Sequence, residues 1–191
     1  MSKETAYLEV EGKYRVPSHD PVRERLREMG IPCGGIEEQR DVYYSPPGRD
    51  FGTTDEALRV RYSGHLSGLT YKGPRLSSYG LKAREEVNVS VKEGEDIERI
   101  LQRLGFVPVI TVTKKRQTCE QESIEISLDD VEGLGSYVEI ELKGPADDPG
   151  ATIEKMKKVL GIEGEHIPLS YLELILATRS SVLSEYPSRP R

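Results

Sequence analysis

Charged and apolar residues alternate along much of this chain. Over 7–16, Glu9, Glu11, Lys13 and Arg15 share one side, and Leu8, Val10, Tyr14 and Val16 the other, because successive side chains of a strand point to opposite faces. The same period of two places Glu37, Gln39, Asp41 and Tyr43 on one face, and sets Arg59 and Arg61 against Leu58, Val60 and Tyr62. It puts Thr70 with Lys72, and sets Lys82, Arg84 and Glu86 against Ala83, Val87 and Val89. Glu125, Ser127 and Asp129 oppose Ile124, Ile126 and Leu128, while Tyr137, Glu139, Glu141 and Lys143 oppose Val138, Ile140 and Leu142. Over 106–120 the pattern does not choose a face, since Lys114 and Arg116 stand against Thr113 and Lys115. Strands are therefore expected over 7–16, 35–45, 57–63, 66–73, 80–92, 106–120, 123–129 and 136–144.

Helical signals fall between them. Ser18 or Asp20 can cap a helix running to Met29, with Pro21 suited to its first turn and Gly30 to its stop. Residues 54–56 read as a short turn, Gly64 as a hairpin tip, 132–135 as a turn, and 95–104, 152–160 and 170–180 as helices. Val22, Leu26 and Met29 form one apolar stripe, and Ile97, Ile100, Leu101 and Leu104 another. The order strand, helix, strands occurs twice, which suggests two similar halves, although the sequence itself does not repeat. The expected fold is α+β: an eight-stranded antiparallel β-barrel, or tunnel, with helices packed outside. One domain would span 1–180, with a loose Pro-rich tail over 181–191.

If helices cover the apolar faces, the charged faces line the inside. The alternative is a sandwich whose charges meet bulk solvent. The like-signed neighbours Glu9/Glu11, Arg59/Arg61 and Glu139/Glu141 favour the lumen, because such pairs repel unless a counter-ion or ligand lies between them.

The net charge of −6 over 191 residues argues against a general nucleic-acid or anionic-membrane binder. The start, MSKETAYLEV, has no apolar signal region, and no apolar run nears a membrane span, so a cytoplasmic location is expected. Cys33 and Cys119 form no CxxC pair, which favours two unpaired thiols of a reducing compartment. One asparagine, Asn88, no tryptophan and abundant Glu, Lys and Arg resemble the composition of heat-stable proteins; in such a protein a disulfide gains weight. His19, His65 and His166 lack zinc-ligand spacing and read as surface histidines, and no P-loop, GxGxxG or GxSxG motif occurs. What remains is the lumen. Carboxylate pairs suit the hard cations Mg²⁺ or Mn²⁺, while Arg and Lys pairs suit phosphate oxygens, so the two together suit a metal-bound polyphosphate.

Glu9-Val10-Glu11-Gly12-Lys13 fits the ExExK signature of the CYTH superfamily, the triphosphate tunnel enzymes. Residues 39–44 (QRDVYY), 49–51 (RDF), 54–61 (TDEALRVR), 71–74 (YKGP), 82–86 (KAREE), 112–116, 128–135, 139–141 (EIE) and 170–174 (SYLEL) continue the resemblance in order, closest to the class IV adenylyl cyclase branch. Together they span about 6–178. The resemblance implies a triphosphate-binding tunnel with Mg²⁺ or Mn²⁺ as cofactor. By position, Glu9, Glu11, Asp129, Glu139 and Glu141 resemble metal-site carboxylates. Lys13, Arg59, Arg61, Lys72, Lys82, Arg84, Lys114 and Arg116 resemble substrate contacts, with Lys13, Arg59 and Lys114 carrying the chemistry. The implied reaction is ATP to cyclic AMP and pyrophosphate. Hydrolysis of thiamine triphosphate, tripolyphosphate or a nucleoside triphosphate is the alternative, and a non-catalytic sensor of phosphorylated ligands a second. The implied partner is a small-molecule triphosphate, neither nucleic acid nor membrane, and a homodimer stays open.

Overall fold

A computed structural model describes residues 7–76, 82–144 and 146–184. Eight strands form one closed barrel: β1 (Tyr7–Arg15), β2 (Cys33–Ser45), β3 (Ala57–Ser63), β4 (Leu66–Lys72), β5 (Lys82–Val91), β6 (Val107–Gln121), β7 (Ile124–Val131) and β8 (Gly135–Leu142). Every pairing is antiparallel, and the order around the barrel is β1-β5-β4-β3-β2-β6-β7-β8. Exchanging β1 with β5, β2 with β6, β3 with β7 and β4 with β8 maps this ring of pairings onto itself. The two halves suggested by the element order are therefore present in the topology.

Among the described residues five helices accompany the strands: α1 (Asp20–Glu28), α2 (Phe51–Thr54), α3 (Gly94–Arg103), α4 (Pro149–Val159) and α5 (Tyr171–Ser184). α1 begins after His19 without a side-chain cap, so neither Ser18 nor Asp20 plays the expected role; Ser18 Oγ instead accepts from the Asp20 amide. The turn expected at 54–56 begins earlier, as α2, and Asp55 closes it in a left-handed conformation (φ 55°). α5 runs to Ser184, and the rest of the tail lies outside the described residues.

The outer wall is apolar and mostly covered. Val10, Tyr14, Ile126, Leu128, Val138 and Ile140 pack with Val22 and Leu26 of α1 and Ile153 and Met156 of α4. Gly12 lets α4 come close: a Cβ there would stand 2.8 Å from Ile153 Cγ2 and 2.6 Å from the Tyr14 hydroxyl. On the opposite wall Val42, Tyr44, Val60 and Leu101 form a second cluster under α3. There Glu98 accepts from the hydroxyls of Tyr44 and Tyr62, clamping the helix to two strands. The expected stripes are narrower than predicted, because Met29, Ile100 and Leu104 are exposed. A third cluster, Tyr43, Ile110, Val112, Val131, Tyr137 and Tyr171, lies inside the barrel where α5 begins. The lumen is thus charged over only part of its length.

Two further expectations fail. His19 is buried, its Nε2 3.0 Å from the Tyr137 carbonyl oxygen. Cys33 and Cys119 are not free thiols: they face each other across β2 and β6, Cα atoms 4.0 Å apart, and form a disulfide. The link ties together residues 86 apart in sequence. Replacing both cysteines by alanine is expected to lower unfolding stability by about 2–4 kcal/mol, the scale for a bridge that closes a long loop. Chemical denaturation of the double variant against the oxidised parent measures it, and an unchanged midpoint would refute it.

Candidate functional site

Inside the barrel is a cavity of about 410 Å³, lined by residues from all eight strands, charged ones from every strand but β2. The alternation explains this directly. Pairing Lys13 with Glu139, Arg59 with Tyr43, and Arg116 with Asp129 sets the inward positions in register around the ring. Lys114 and Arg116 point inward and Lys115 outward, which resolves the ambiguous parity of β6.

The lumen has two walls of opposite character. Glu11, Glu139, Glu141 and Glu125 line the arc of β1, β8 and β7. Arg59, Arg61, Lys72, Arg84, Lys114 and Arg116 line the arc of β3, β4, β5 and β6. Lys13, on β1, bridges them: its Nζ is 3.3 Å from Glu139 and donates to the Leu169 carbonyl oxygen at 3.0 Å. The expected substrate contacts Lys13, Arg59, Arg61, Lys72, Arg84, Lys114 and Arg116 are therefore brought together. Of the expected metal carboxylates, Glu11, Glu139 and Glu141 line the cavity. For Glu9 and Lys82 only the backbone is described, paired with Arg84 and Glu11 in the strand register.

Asp129 is placed differently. It is fully buried and does not line the cavity. Arg116 Nε donates to it at 2.6 Å, the Tyr171 hydroxyl donates at 2.9 Å, and Lys114 Nζ lies 3.6 Å away. Burial alone would raise its pKa, but Arg116 and Lys114 outweigh burial and hold it below the usual carboxylate range. Its oxygens are held by Arg116, Lys114 and the Tyr171 hydroxyl, so it supports those side chains from outside the cavity. Asp41 repeats the arrangement on the other side. It accepts from Arg61 Nε and Nη2, each at 2.6 Å, and from Arg59 Nη1 at 3.3 Å. There too the two arginines overcome burial and keep the carboxyl well below its ordinary range.

Several neighbours of the lumen were given no role by the sequence, although Asp55, Tyr171 and Glu173 lie in stretches that carry the resemblance. Tyr171 lies under the cations, its ring centroid 4.1 Å from Lys13 Nζ and 5.2 Å from Lys114 Nζ. Asp55 receives Arg84 Nη2 at 3.1 Å and Arg75 Nε at 2.9 Å, and Arg75 also binds Glu173 of α5 at 2.9 Å. Their neighbourhood rests on contacts between residues up to 98 apart, which periodicity cannot register. Beside them a second cavity of about 170 Å³ shares Tyr43, Ala57, Arg84 and Ser170 with the lumen and is walled by Tyr44, Phe51, Leu58, Val109, Leu172 and Leu176.

Two polar atoms on the lumen wall, Arg84 Nε and Gln39 Oε1, are buried with no hydrogen-bond partner among the described residues. A guanidinium N–H in that state suits an anionic ligand. The acidic wall suits a metal in the same way. Among the described residues no three acidic, His or Cys side chains converge into a closed cage. Mg²⁺ rarely needs one: it binds through one or two carboxylates together with substrate phosphates. Glu11, Glu139 and Glu141 supply such carboxylates.

A model of the CYTH domain family matches residues 7–171. A protein of Methanocaldococcus jannaschii, provisionally named an adenylate cyclase, is 37% identical over 172 residues, covering 87% of this chain and 98% of its own length. The solved structure of the PH1819 protein from Pyrococcus horikoshii is 38% identical, with a TM-score of 0.76 over 91% of this chain and 100% of that one. A Hippeastrum protein, named as an adenylyl cyclase and described as having a dominant triphosphatase activity, shares the fold at 19% identity, TM-score 0.68, with 89% of this chain and 96% of that one covered. In the described residues no helix is long and apolar enough to cross a membrane.

Burial, followed by the repulsion of Arg116, lowers the pKa of the Lys114 ammonium to about 7 against the attraction of Asp129. The amine is therefore mostly neutral at pH 8.5 and mostly charged at pH 6. A polyanion in the lumen favours the charged form. Binding of tripolyphosphate at pH 8.5 should take up about one proton, with little uptake at pH 6. Calorimetry in buffers of different ionisation enthalpy reads this directly, and Lys114→Arg should abolish the uptake. Equal proton uptake by parent and variant would refute it.

Proposed function

The chain belongs to the CYTH domain family, and from that premise we propose that it is a metal-dependent enzyme converting ATP to cyclic AMP and pyrophosphate in the barrel lumen. Enzymes of the family act on small triphosphates and generally use a divalent cation. The observation that carries the finer reading is the junction of the cationic lumen with the apolar side cavity at Tyr43, Ala57, Arg84 and Ser170. A bare tripolyphosphate needs only the lumen. A triphosphate carrying a flat ring uses both, with the ring against Phe51, Tyr44 and Leu172.

In this reading Arg59, Arg61, Lys72, Arg84 and Arg116 hold the phosphate oxygens, the arginines by their planar forks and the lysine as a point charge. Asp41 and Asp129 aim the forks from behind. Glu11, Glu139 and Glu141, with Glu9 two positions before Glu11 in β1, would hold the metal. When bound, the metal neutralises phosphate charge and polarises phosphorus. Lys114, charged once the polyanion is bound, adds to the cationic wall, and the proton of the ribose 3′-hydroxyl is released to water. The 3′-oxygen bonds to the α-phosphorus, the bond from that phosphorus to the bridging oxygen breaks, and pyrophosphate leaves. Lys13, held by Glu139 and Leu169, stays beside the phosphate chain as a fixed positive charge.

Product analysis tests the reaction. Incubation with ATP and Mg²⁺ or Mn²⁺, including hot and alkaline conditions, should yield cyclic AMP and pyrophosphate, and EDTA should abolish turnover. ADP with phosphate, or fast turnover of tripolyphosphate or thiamine triphosphate, means water attack and overturns the cyclase reading. Binding without turnover means a sensor.

Two substitutions test the site itself. Arg59→Ala should weaken triphosphate binding by about 1–3 kcal/mol, the scale of one charge-assisted contact. Phe51→Ala should weaken ATP binding while leaving tripolyphosphate binding unchanged. An equal loss for both ligands would remove the side cavity from the site.

A further inference from the structure

At the end of the lumen away from α5, three carboxylates stand in one row. Glu11 is opposite Glu141 across β1 and β8, and Glu141 is opposite Glu125 across β8 and β7. Glu11 is buried, and the side chains of Glu141 and Glu125 are 14% and 16% exposed. Like charges directly opposite on neighbouring strands repel, and shielding from water strengthens the repulsion. The protein places a cation of its own on this row. Lys143, just past the end of β8, sets its Nζ 3.0 Å from Glu141 Oε1 and 3.1 Å from Glu125 Oε2.

Lys143 differs from the other lumen cations. Lys13 and Lys114 are almost wholly enclosed, whereas the Lys143 side chain is 41% exposed. Its four-carbon stem can carry the ammonium out to water without disturbing packing. No described contact ties it to the phosphate-binding wall; its ion-pair partners are Glu141, one of the carboxylates on which a hard cation would sit, and Glu125 beside it.

Resting on the metal-dependent reading above, we propose that Lys143 is an internal competitor of the divalent metal: it occupies the Glu141–Glu125 oxygens in the metal-free protein, and the incoming cation must displace it. The residue thereby sets how much free metal the tunnel needs. A divalent cation satisfies the row better than one ammonium because it carries twice the charge and accepts several oxygen ligands. The exchange costs affinity without abolishing binding.

The test uses Mn²⁺ alone, with no triphosphate, so that catalysis plays no part. Isothermal titration of the whole protein with Mn²⁺ should give a Kd about tenfold tighter for Lys143→Met than for the parent. Lys143→Arg, which keeps the charge, should bind like the parent, and Lys158→Met, a remote exposed control, should change nothing. In the metal-free state Lys143→Met should melt lower than the parent, and saturating Mn²⁺ should restore it by a larger rise in Tm. If Lys143→Met folds poorly, titration of the parent with Mg²⁺ answers instead: the Lys143 ammonium NMR signal should move towards that of a solvated lysine. Equal or weaker Mn²⁺ binding by Lys143→Met, or an ammonium signal indifferent to Mg²⁺, overturns the competitor role alone. Absence of Mn²⁺ binding by every protein in the series overturns the metal reading together with it.

Discussion

Enclosing charges inside a closed barrel is the constraint on which the rest of this structure depends. A cation removed from water loses hydration that only close opposite charge or hydrogen bonds restore. Two buried aspartates supply it: Asp41 serves Arg59 and Arg61, and Asp129 serves Arg116 and Lys114. Each neutralises one side of its arginines and leaves the other side to the cavity. The cationic wall can therefore persist without ligand and still present donors to one. Removing either aspartate would leave guanidinium groups buried without compensation, a loss that falls on fold and function together.

The parity of the strands was legible because it rests on a period of two that any sequence displays. Seven strands followed from it unaided, and the resemblance settled the inward face of the eighth, with Lys114 and Arg116 inside. Which acid serves which purpose was not legible. Asp129 and Glu139 both belong to the inward set and both bind Arg116, yet Tyr171 and Lys114 close off Asp129 while Glu139 lines the cavity. Only distances to neighbours on other strands tell the two apart. The Cys33–Cys119 bridge escaped for the same reason, since its two halves meet only through the β2–β6 register. The side cavity draws on residues from Tyr43 to Leu176, and no local pattern brings those together. The helices were found, but their stripes were read too wide. Ile100 and Leu104 continue the period of α3 past the edge of the surface it covers.

Outside and inside are joined more tightly than a wall suggests. Tyr43 and Tyr44 are consecutive, so one faces the lumen and the other reaches Glu98 on α3. Gly12 stands between Glu11 and Lys13, and its missing side chain is what admits α4 to the outer wall. The chemistry of the site and the seating of the helices are thus written into alternate residues of the same strands. A substitution chosen for one face has its neighbours on the other.

The ring of strands has a twofold exchange, but its charges do not obey it. Glu9, Glu11 and Lys13 of β1 correspond to Arg84, Glu86 and Asn88 of β5; Gln39 and Asp41 of β2 to Lys114 and Arg116 of β6; Arg59 and Arg61 of β3 to Ser127 and Asp129 of β7; Thr70 and Lys72 of β4 to Glu139 and Glu141 of β8. From half to half the sign tends to invert. A frame with true twofold symmetry would accept an elongated ligand in two equivalent senses, one of them useless. An antisymmetric charge pattern on that frame creates a transverse field and breaks the degeneracy. The phosphate chain then has one side to face and its counter-ion the other, before any individual contact is made.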